Sequence, residues 1–353
     1  MASQLMTTHA QRVGVYKGII YKHAIPVEVL CKQGRQEFIP RRSGDTYKGR
    51  QWLPYGATAA NPDQFFQNGT GDRSAALVQA HQSAEGVTST PDSITPLDTT
   101  VVIEEYECLY GFTNKVYDLY EDDVAKAMLE QVGERMTLVN ESIVWGKLRA
   151  GTNVFYGGTG TTLATVNGGM TLGWIQKIVR SLQANHAKET RRMLGASPKF
   201  NTSPISSGFF VYGHTDLEAD IRRLPDFVPV EKYGSNTEAV PYEVGACQRF
   251  RFVCSPDLPS IQDSGAAVGA LGLKSTTGTL IDVYPVVVLG QDAFSQLAVR
   301  GAEGVKPSVI LPGKIEKSDP TGKRGYVGST WYKAAAIEHN GWMAVGFVGS
   351  INL

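Results

Sequence analysis

The feature that most constrains this chain is one long apolar stripe that begins after Tyr120. Apolar side chains recur there at intervals of three and four residues: Val124, Met128, Val132, Met136, Val139 and Ile143. This period is that of one face of an α-helix. The acidic run 121–123 precedes the stripe, and Lys147 and Arg149 end it, which suits the two ends of a helix dipole. We therefore predict a helix over about residues 118–150 that packs across a flat surface.

Composition excludes several classes of protein. The chain has 353 residues, 34 Lys and Arg against 34 Asp and Glu, and 42% hydrophobic residues. This composition is not that of a disordered chain, and a net charge of zero argues against a general nucleic-acid binder. No apolar run reaches the roughly 18 residues that a membrane-spanning helix needs. The start of the chain is polar where a signal peptide would be apolar. We expect a protein that is made in a cytoplasm and does not span a membrane.

The sequence indicates no catalytic or metal centre. Cys31, Cys108, Cys247 and Cys254 form no CxxC pair, and we expect four reduced structural thiols. The six histidines show no metal-ligand spacing, and no GxSxG nucleophile motif occurs. Residues 157–162 (GGTGTT) resemble a phosphate-binding loop but lack the GK[ST] ending. A flexible connector is the simpler interpretation, and a nucleotide-using enzyme stays open as an alternative. We expect no catalytic residue, no cofactor and no metal.

Charge is polarised along the front of the chain. From Arg12 to Arg50, nine Lys and Arg face three Asp and Glu, and from Pro91 to Asp123, nine acidic residues face only Lys115. These segments can attract each other within one chain or between neighbouring chains, or each can be a solvated edge. If the two segments meet between neighbouring chains, the candidate contact residues are Arg12, Lys17, Arg35, Arg41, Arg42, Glu104, Glu105 and Glu107.

Two strand-like runs flank a long irregular segment in the front third. Residues 45–55 (DTYKGRQWLPY) and 99–117 (TTVVIEEYECLYGFTNKVY) are rich in β-branched and aromatic residues, and the segment between them is rich in Gly, Ser, Thr, Asn and Gln. Connections of this length usually reach outwards from a compact domain. The pattern predicts two long arms of a hairpin with an elaborated tip.

Behind the long helix, strand and helix patterns alternate. Thr171 is a candidate N-cap for a second helix. We further predict strands at 209–213 (FFVYG), 249–255 (RFRFVCS) and 283–290 (VYPVVVLG), and short helices at 214–224 (HTDLEADIRRL) and 291–299 (QDAFSQLAV). This alternation indicates an α/β subdomain with a central sheet over about residues 156–305. The last fifty residues return to strand patterning.

Five segments resemble a known family in their sequence and their order. They are EEYECLYGFTNKVYDLYEDD, FFVYGHTDLEADIRRLPDFVPVEKYG, VPYEVGACQRFRFVCSPDL, VYPVVVLGQDAFSQLAVRG and DPTGKRGYVGSTWYKAAAIEHNGWMAVGF. Together they cover most of residues 100–353 and are similar to the N-four-type branch of the Hong Kong 97-type major capsid proteins of tailed bacteriophages.

The resemblance implies an α+β fold, the Hong Kong 97-type phage major capsid fold. The implied parts are an N-terminal arm (1–45), an extended loop (46–110), a peripheral domain (111–155 and 306–353) with a spine helix at about 118–150, and an α/β axial domain (156–305). The family carries over no catalytic residue, so no enzyme is expected. In this fold the apolar stripe becomes the packing face of the spine helix.

The resemblance also implies a function. The expected role is a major capsid protein that assembles as pentamers and hexamers into an icosahedral shell around double-stranded DNA, without sequence-specific binding. Expected partners are copies of itself, portal and scaffolding proteins, and, as a further class, cement or decoration proteins. The expected location is the virion, after assembly in the bacterial host cytoplasm. An encapsulin-like compartment shell is an alternative in the same fold class.

Overall fold

The computed structural model of the chain describes most of its length. It covers residues 25–59, 62, 73–83, 85–88, 91–120, 123–190, 207–233, 240–269, 271–300, 307–315, 317 and 319–352. Within these ranges, no helix combines the length and the apolar character needed to cross a bilayer.

Strands dominate the described residues, and one helix is much longer than the others. The strands are β1 (Arg35–Ile39), β2 (Thr46–Trp52), β3 (Pro96–Val102), β4 (Glu104–Thr113), β5 (Val154–Tyr156), β6 (Phe209–Gly213), β7 (Phe227–Pro229), β8 (Glu243–Cys247), β9 (Phe250–Cys254), β10 (Val283–Leu289), β11 (Phe294–Val299), β12 (Ser308–Ile310), β13 (Arg324–Ile337) and β14 (Met343–Gly349). The α-helices are α1 (Arg73–Ala80), α2 (Asn114–Leu119), α3 (Val124–Arg149), α4 (Leu172–Ala184) and α5 (Glu218–Arg222). Short 3₁₀ turns lie at Leu163–Thr165, Thr215–Leu217, Val230–Lys232 and Asn340–Trp342.

A seven-stranded sheet is buried on both faces. Its strand order is β5-β14-β10-β6-β9-β8-β7, and every residue of β10 is buried. Helix α4 packs on one face through Ile178 and Leu182. The last turns of α3 pack on the other face through Val144 and Leu148. Because both faces are covered, the central strands are continuous apolar runs, and they could therefore be predicted from the sequence.

A second sheet is organised by β13, its longest strand. On one side β13 pairs with β4, from Arg324 opposite Thr113 to Lys333 opposite Glu104. On the other side it pairs with β12, and its last residues, 334–337, pair with β11. Strand β1 adds to β11 in parallel. Strands β2 and β3 form a separate two-stranded hairpin.

The long helix α3 joins the two sheets. Its first half packs on β4 and β13, where Met128, Val132 and Met136 share a buried cluster with Phe112 and Trp331. Its second half lies on the seven-stranded sheet. At 1.5 Å per residue its 26 residues span about 39 Å. One helix therefore belongs to two hydrophobic cores.

The start of α3 differs from the prediction. The helix begins at Val124 instead of near residue 118, because Tyr120 has an extended backbone (φ −81°, ψ 141°) that ends α2. Asp123 is the N-cap, and its Oδ1 accepts a hydrogen bond from the Lys126 amide at 3.1 Å. The acidic side chain therefore caps the helix, in the place where the dipole favours it.

Several predicted elements behind the long helix are confirmed. Strands β6, β9 and β10 occupy the segments predicted as strands, and α5 lies in the segment predicted as a short helix. Thr171 caps α4, because its Oγ1 accepts a hydrogen bond from the Trp174 amide at 3.3 Å.

The predicted helix over 291–299 is wrong. Phe294–Val299 is strand β11, which lies between β1 and β13. A short apolar run has no decisive period, so local pattern does not separate helix from strand. Backbone pairing with two neighbouring strands decides the conformation here.

The predicted hairpin is shorter than its second arm suggested. Its return strand ends at Val102, and the buried Ile103 closes the base by donating its amide to the Asp45 carbonyl at 2.8 Å. The chain then continues as β4, which pairs with β13 and not with β2. The acidic residues Glu104, Glu105 and Glu107 therefore lie in the second sheet, outside the hairpin.

Candidate assembly surfaces

The hairpin β2–β3 exposes one of its faces fully. Alternate residues of both strands are exposed and the others are half-buried. On the exposed face, Arg50 donates to both carboxylate oxygens of Asp98, at 2.7 and 2.8 Å. That hydrogen bond lowers the pKa of Asp98. Trp52 and Val102 lie on the same face and are 59% and 53% exposed. An apolar and charged face of this kind is typical of a binding surface.

Among the described residues, the base of this hairpin is the part that packs against the core of the subunit. Tyr47 and Val101 pack against a small buried cluster that includes Ile103, Leu297 and Ala334. Beyond the base, helix α1 lies in the segment that joins the two strands, and its described side chains, 74–80, are all exposed. The hairpin is therefore anchored at one end and presented to solvent along its length.

The acidic residues of β4 lie at the exposed edge of the second sheet. Glu104 accepts a hydrogen bond from the Tyr106 hydroxyl at 2.9 Å. Burial, followed by this bond, raises the pKa of Tyr106 to about 12. Glu105 accepts a hydrogen bond from the Tyr332 hydroxyl, and this bond raises the pKa of Tyr332. Glu107 is exposed. The three carboxylates remain accessible to a partner.

Of the five predicted basic contact residues, three lie in the described part of the arm and two lie outside it. Arg12 and Lys17 lie outside the described residues. Arg35 forms ion pairs with Glu37 at 2.8 Å and with Glu338 at 2.9 Å.

Arg41 and Arg42 follow β1 and are exposed. The Arg41 Nε donates to the Arg300 carbonyl at 3.2 Å, and Arg42 has a left-handed backbone with φ 66°. The bend at Arg42 is costly for a residue with a side chain, so the local structure determines the direction of the arm there.

The predicted spine stripe is buried in its first half and partly exposed in its second. Met128, Val132 and Met136 are buried, and Val124 and Val139 pack at the edge of their cluster. Ile143 is half-buried. After Met136 the contact face of the helix turns towards the other sheet, so the stripe leaves the line that the sequence suggested.

The residues that replace the stripe are partly polar, and the sequence reasoning missed them. Asn140 is buried, and its Oδ1 accepts a hydrogen bond from the Trp331 indole at 2.9 Å. Glu141 is 2% exposed and accepts hydrogen bonds from backbone amides of the arm. Asn140 had a signal in its position, because Met136, Asn140, Val144 and Leu148 continue the four-residue spacing through the polar residue, whereas Glu141 lies off that spacing.

The Gly-rich loop 157–162 is folded on itself. The Thr161 and Thr162 amides both donate to the Thr165 Oγ1 at 3.0 Å, and the Thr159 amide donates to the Asn167 Oδ1 at 2.9 Å. A Cβ on Gly157 would meet a backbone carbonyl. The glycines thus permit close packing, and these amides are not turned towards a phosphate.

A polar cluster lies at the end of β6. The His214 Nδ1 accepts a hydrogen bond from the Asp216 amide at 3.0 Å. The Asp216 Oδ2 accepts from Lys274 Nζ at 2.6 Å and from the Tyr284 hydroxyl at 2.7 Å. Burial is the largest influence on His214 and lowers its pKa. Burial raises the pKa of Asp216, but the hydrogen bonds from Lys274 and Tyr284 outweigh it, so the net pKa is lowered.

Comparison with known proteins decides the family. The sequence model of a family described as phage capsid protein matches residues 110–337, which is more than half of the chain. The chain belongs to the phage capsid protein family. The matched range contains α3, the last four residues of β4, and every other strand of the two large sheets except β1 and β14.

A curated relative supports the same family. The chain is 21% identical over 262 residues to the major capsid protein of Pseudomonas phage KPP21. The match covers 69% of this chain and 65% of the relative, so the chain spans just under two thirds of that protein's length.

Solved phage capsids share the fold over nearly the whole chain. The capsid of Ralstonia phage GP4 aligns with a TM-score of 0.65 at 10% identity and covers 99% of each chain. The capsid of cyanophage Pam1 aligns with a TM-score of 0.60 at 13% identity and also covers 99% of each chain. The expected fold class is therefore confirmed: this chain has the α+β, Hong Kong 97-type fold.

Proposed function

We propose that this chain is the major subunit of a tailed-phage capsid, which assembles as pentamers and hexamers into an icosahedral shell around double-stranded DNA. Membership of the phage capsid family supports this role. The observation that carries it is the hairpin β2–β3, whose base packs against a core cluster and whose outer face, apolar and charged, is exposed in the described part of the chain. Ordering such a segment is costly unless another surface covers it.

The division of the subunit follows from the same proposal. Residues 1–45 form the arm, 46–110 the extended loop, 111–155 with 306–353 the peripheral domain, and 156–305 the axial domain. The second sheet supports this division in part, because β13 packs with the spine helix α3, but β4 crosses the boundary at 110: all ten of its residues pair with β13, so residues 104–110 belong with the peripheral sheet. Strand β14 lies in the seven-stranded sheet, beside β10, so the last residues of the chain also complete the axial sheet.

The partners and location follow from the shell. The subunit contacts copies of itself, portal and scaffolding proteins and a cement or decoration class. It holds DNA by confinement without reading its sequence, and the subunit is located in the virion after assembly in the host cytoplasm. Its role is structural and not catalytic, which the satisfied amides of the Gly-rich loop support.

Contact between neighbours is proposed to use opposite charges. The basic arm contributes Arg12, Lys17, Arg35, Arg41 and Arg42, and the acidic β4 contributes Glu104, Glu105 and Glu107. Complementary charge fixes the register of an interface more than its affinity. The described members of both groups are accessible at the surface or its edge.

Electron microscopy of the expressed protein tests the proposal, with closed shells or capsomers as the expected result. A stable monomer at high concentration would contradict it. Arg41→Glu with Arg42→Glu should leave subunit unfolding unchanged, reduce particle yield and alter its salt dependence. The matched variant, Arg41→Gln with Arg42→Gln, should reduce the yield by less. Equal yields at all salt concentrations would show that the arm does not act through charge.

A further inference from the structure

The segment before β1 is held in place without belonging to a sheet. Residues 26–34 form no strand or helix, yet Val29 and Leu30 are completely buried. They share a cluster with Trp145 and Leu148 of α3 and with Phe294 of β11. A buried backbone that lacks a ladder must find other partners for its amides and carbonyls.

The spine helix supplies the partners of the amides. The Glu141 Oε1 accepts hydrogen bonds from the Val29 amide at 3.1 Å and from the Leu30 amide at 2.7 Å. Its Oε2 accepts from the Cys31 amide at 3.2 Å. A carboxylate that is 2% exposed is stable only when such donors surround it. One side chain therefore satisfies three consecutive amides.

Strand β11 supplies a partner for the carbonyls of the same segment. The Gln296 Nε2 lies 3.3 Å from the Leu30 carbonyl, 3.0 Å from that of Cys31 and 2.5 Å from that of Gln33. Its Oε1 accepts a hydrogen bond from Lys333 Nζ of β13 at 2.6 Å. Lys333 therefore fixes which end of the Gln296 amide faces the arm.

The end of the segment is fixed by a close approach. Gly34 has φ 75°, and an added Cβ would lie 2.7 Å from the Phe294 ring. The chain turns here into β1, directly after the last carbonyl that Gln296 contacts. The direction of the chain is thus set at the C-terminal end of the buried segment.

We propose that Glu141 and Gln296, with Lys333 orienting the latter, form a clamp that fixes the point at which the N-terminal arm leaves the subunit. This inference rests on the proposed shell function for its consequence: the arm reaches its neighbour only from this fixed point. A buried carboxylate is a poor source of stability compared with an apolar side chain but confers positional specificity. Glu141 and Gln296 are thus positioning residues for assembly.

Hydrogen exchange read by mass spectrometry tests the clamp directly. Glu141→Gln replaces one acceptor with an NH₂ group, so at least one of the three amides loses its partner. We expect amides 29–31 to exchange faster by roughly tenfold, because a hydrogen bond to a charged group is lost. Glu130→Gln, an exposed glutamate of the same helix, should leave this exchange unchanged. Unchanged exchange in Glu141→Gln would overturn the clamp.

The thiol of Cys31 gives a second readout. Burial, the largest influence, raises the pKa of this thiol, and Glu141 raises it further while Lys333 lowers it. We expect Glu141→Gln to increase the rate at which a thiol reagent labels Cys31, with Cys31→Ser as the control for the other three cysteines. Should Glu141→Gln fail to fold, Gln296→Met removes the contacts to the carbonyls of the same segment. Faster exchange of amides 29–31 is then expected, and unchanged exchange would overturn the clamp.

Particle yield separates the clamp from the shell. Faster exchange together with a severalfold lower yield of shells supports the inference. Faster exchange with an unchanged yield overturns the link to assembly. If the natural protein forms no shells, the proposed function is lost, whereas the exchange of amides 29–31 still decides whether Glu141 holds the arm.

Discussion

Two regions of this molecule use strands in opposite ways. In β10 of the seven-stranded sheet every residue is buried, with helix α4 on one face and α3 on the other. In β2 and β3 no residue is fully buried, and within the described ranges it is the base of the hairpin that contacts a core. The sheet therefore has its complement within the subunit, whereas the outer face of the hairpin is exposed in the part of the chain that the structure describes. The proposed shell would cover that face with a neighbouring copy.

The contrast separates two kinds of residue. Those in the sheets and α3 are expected to determine whether the subunit folds, and those on the hairpin, under the proposed function, what the folded subunit binds. Substitutions in the first region should change the free energy of unfolding of the isolated subunit. Substitutions in the second should leave that free energy nearly unchanged and alter particle formation.

The largest effect is expected at the centre of α3. Met136→Asp places a carboxylate without a partner between the helix and the second sheet, which should lower the free energy of unfolding by several kcal/mol, about 3 or more. Urea unfolding of the subunit measures it. Leu138→Asp, at a position 42% exposed on the same helix, is the control and should cost much less. Equal and small losses would refute this packing of α3.

Two glycines should respond with opposite signs. A Cβ on Gly133 of α3 would meet no atom within 4 Å, so Gly133→Ala should raise the free energy of unfolding by about 1 kcal/mol. A Cβ on Gly346 of β14 would meet the Trp174 ring, so Gly346→Ala should lower it by about 1–3 kcal/mol. Thermal unfolding distinguishes the two. A loss at Gly133 would show that this side of the helix is closely packed.

A smaller, pH-dependent effect is expected at His214. Burial lowers the pKa of its imidazole in the folded state, so folding favours the neutral ring. Its contribution is therefore complete above the unfolded pKa of about 6.5 and is lost as the pH falls below that value. Protonation also removes the acceptor of the Asp216 amide. The free energy of unfolding should differ less between pH 7 and pH 5 in His214→Gln than in the natural protein. An identical difference in the two proteins would show that His214 is not its origin.

The smallest effect on subunit stability is expected on the hairpin. Trp52 is 59% exposed, so Trp52→Ala should leave the unfolding midpoint unchanged within error. Particle yield, followed by light scattering, should fall, because the substitution removes the apolar ring that a neighbouring subunit is proposed to cover. Trp52→Phe keeps an aromatic ring and should retain most of the yield. A lower midpoint in Trp52→Ala would show that the hairpin is covered within its own subunit.

Much of the fold was predictable where burial is one-sided or complete. The stripe from Met128 to Met136 has the period of a helix, and the run of β10 is apolar throughout, as in a strand buried on both faces. The helix and the buried strand were both predicted correctly. The hairpin was predicted, but not the break at Ile103, because a strand that changes partners keeps its local pattern. Strand β11 failed for a related reason, since pairing with distant strands fixed it.

The assembly surfaces were predictable only as charges. The sequence placed Arg41 and Glu104 in oppositely charged segments, but their accessibility follows from which sheet each segment joins. Glu141 was not predictable, because its partners are backbone amides about 110 residues away in the chain. Backbone groups carry no signature in the sequence, so a buried glutamate in a helix looks like any other glutamate.

The tryptophans of the subunit provide an intrinsic optical probe. The chain has five, and all lie in the described residues: Trp145, Trp174 and Trp331 are buried, Trp342 is intermediate, and Trp52 alone is mostly in water. Indole fluorescence shifts to shorter wavelength when water is removed from the ring. Emission at the red edge of the spectrum therefore comes mainly from Trp52 on the hairpin. If a neighbouring subunit covers this ring during assembly, the loss of red-edge emission over time would measure the rate of that contact without any added dye.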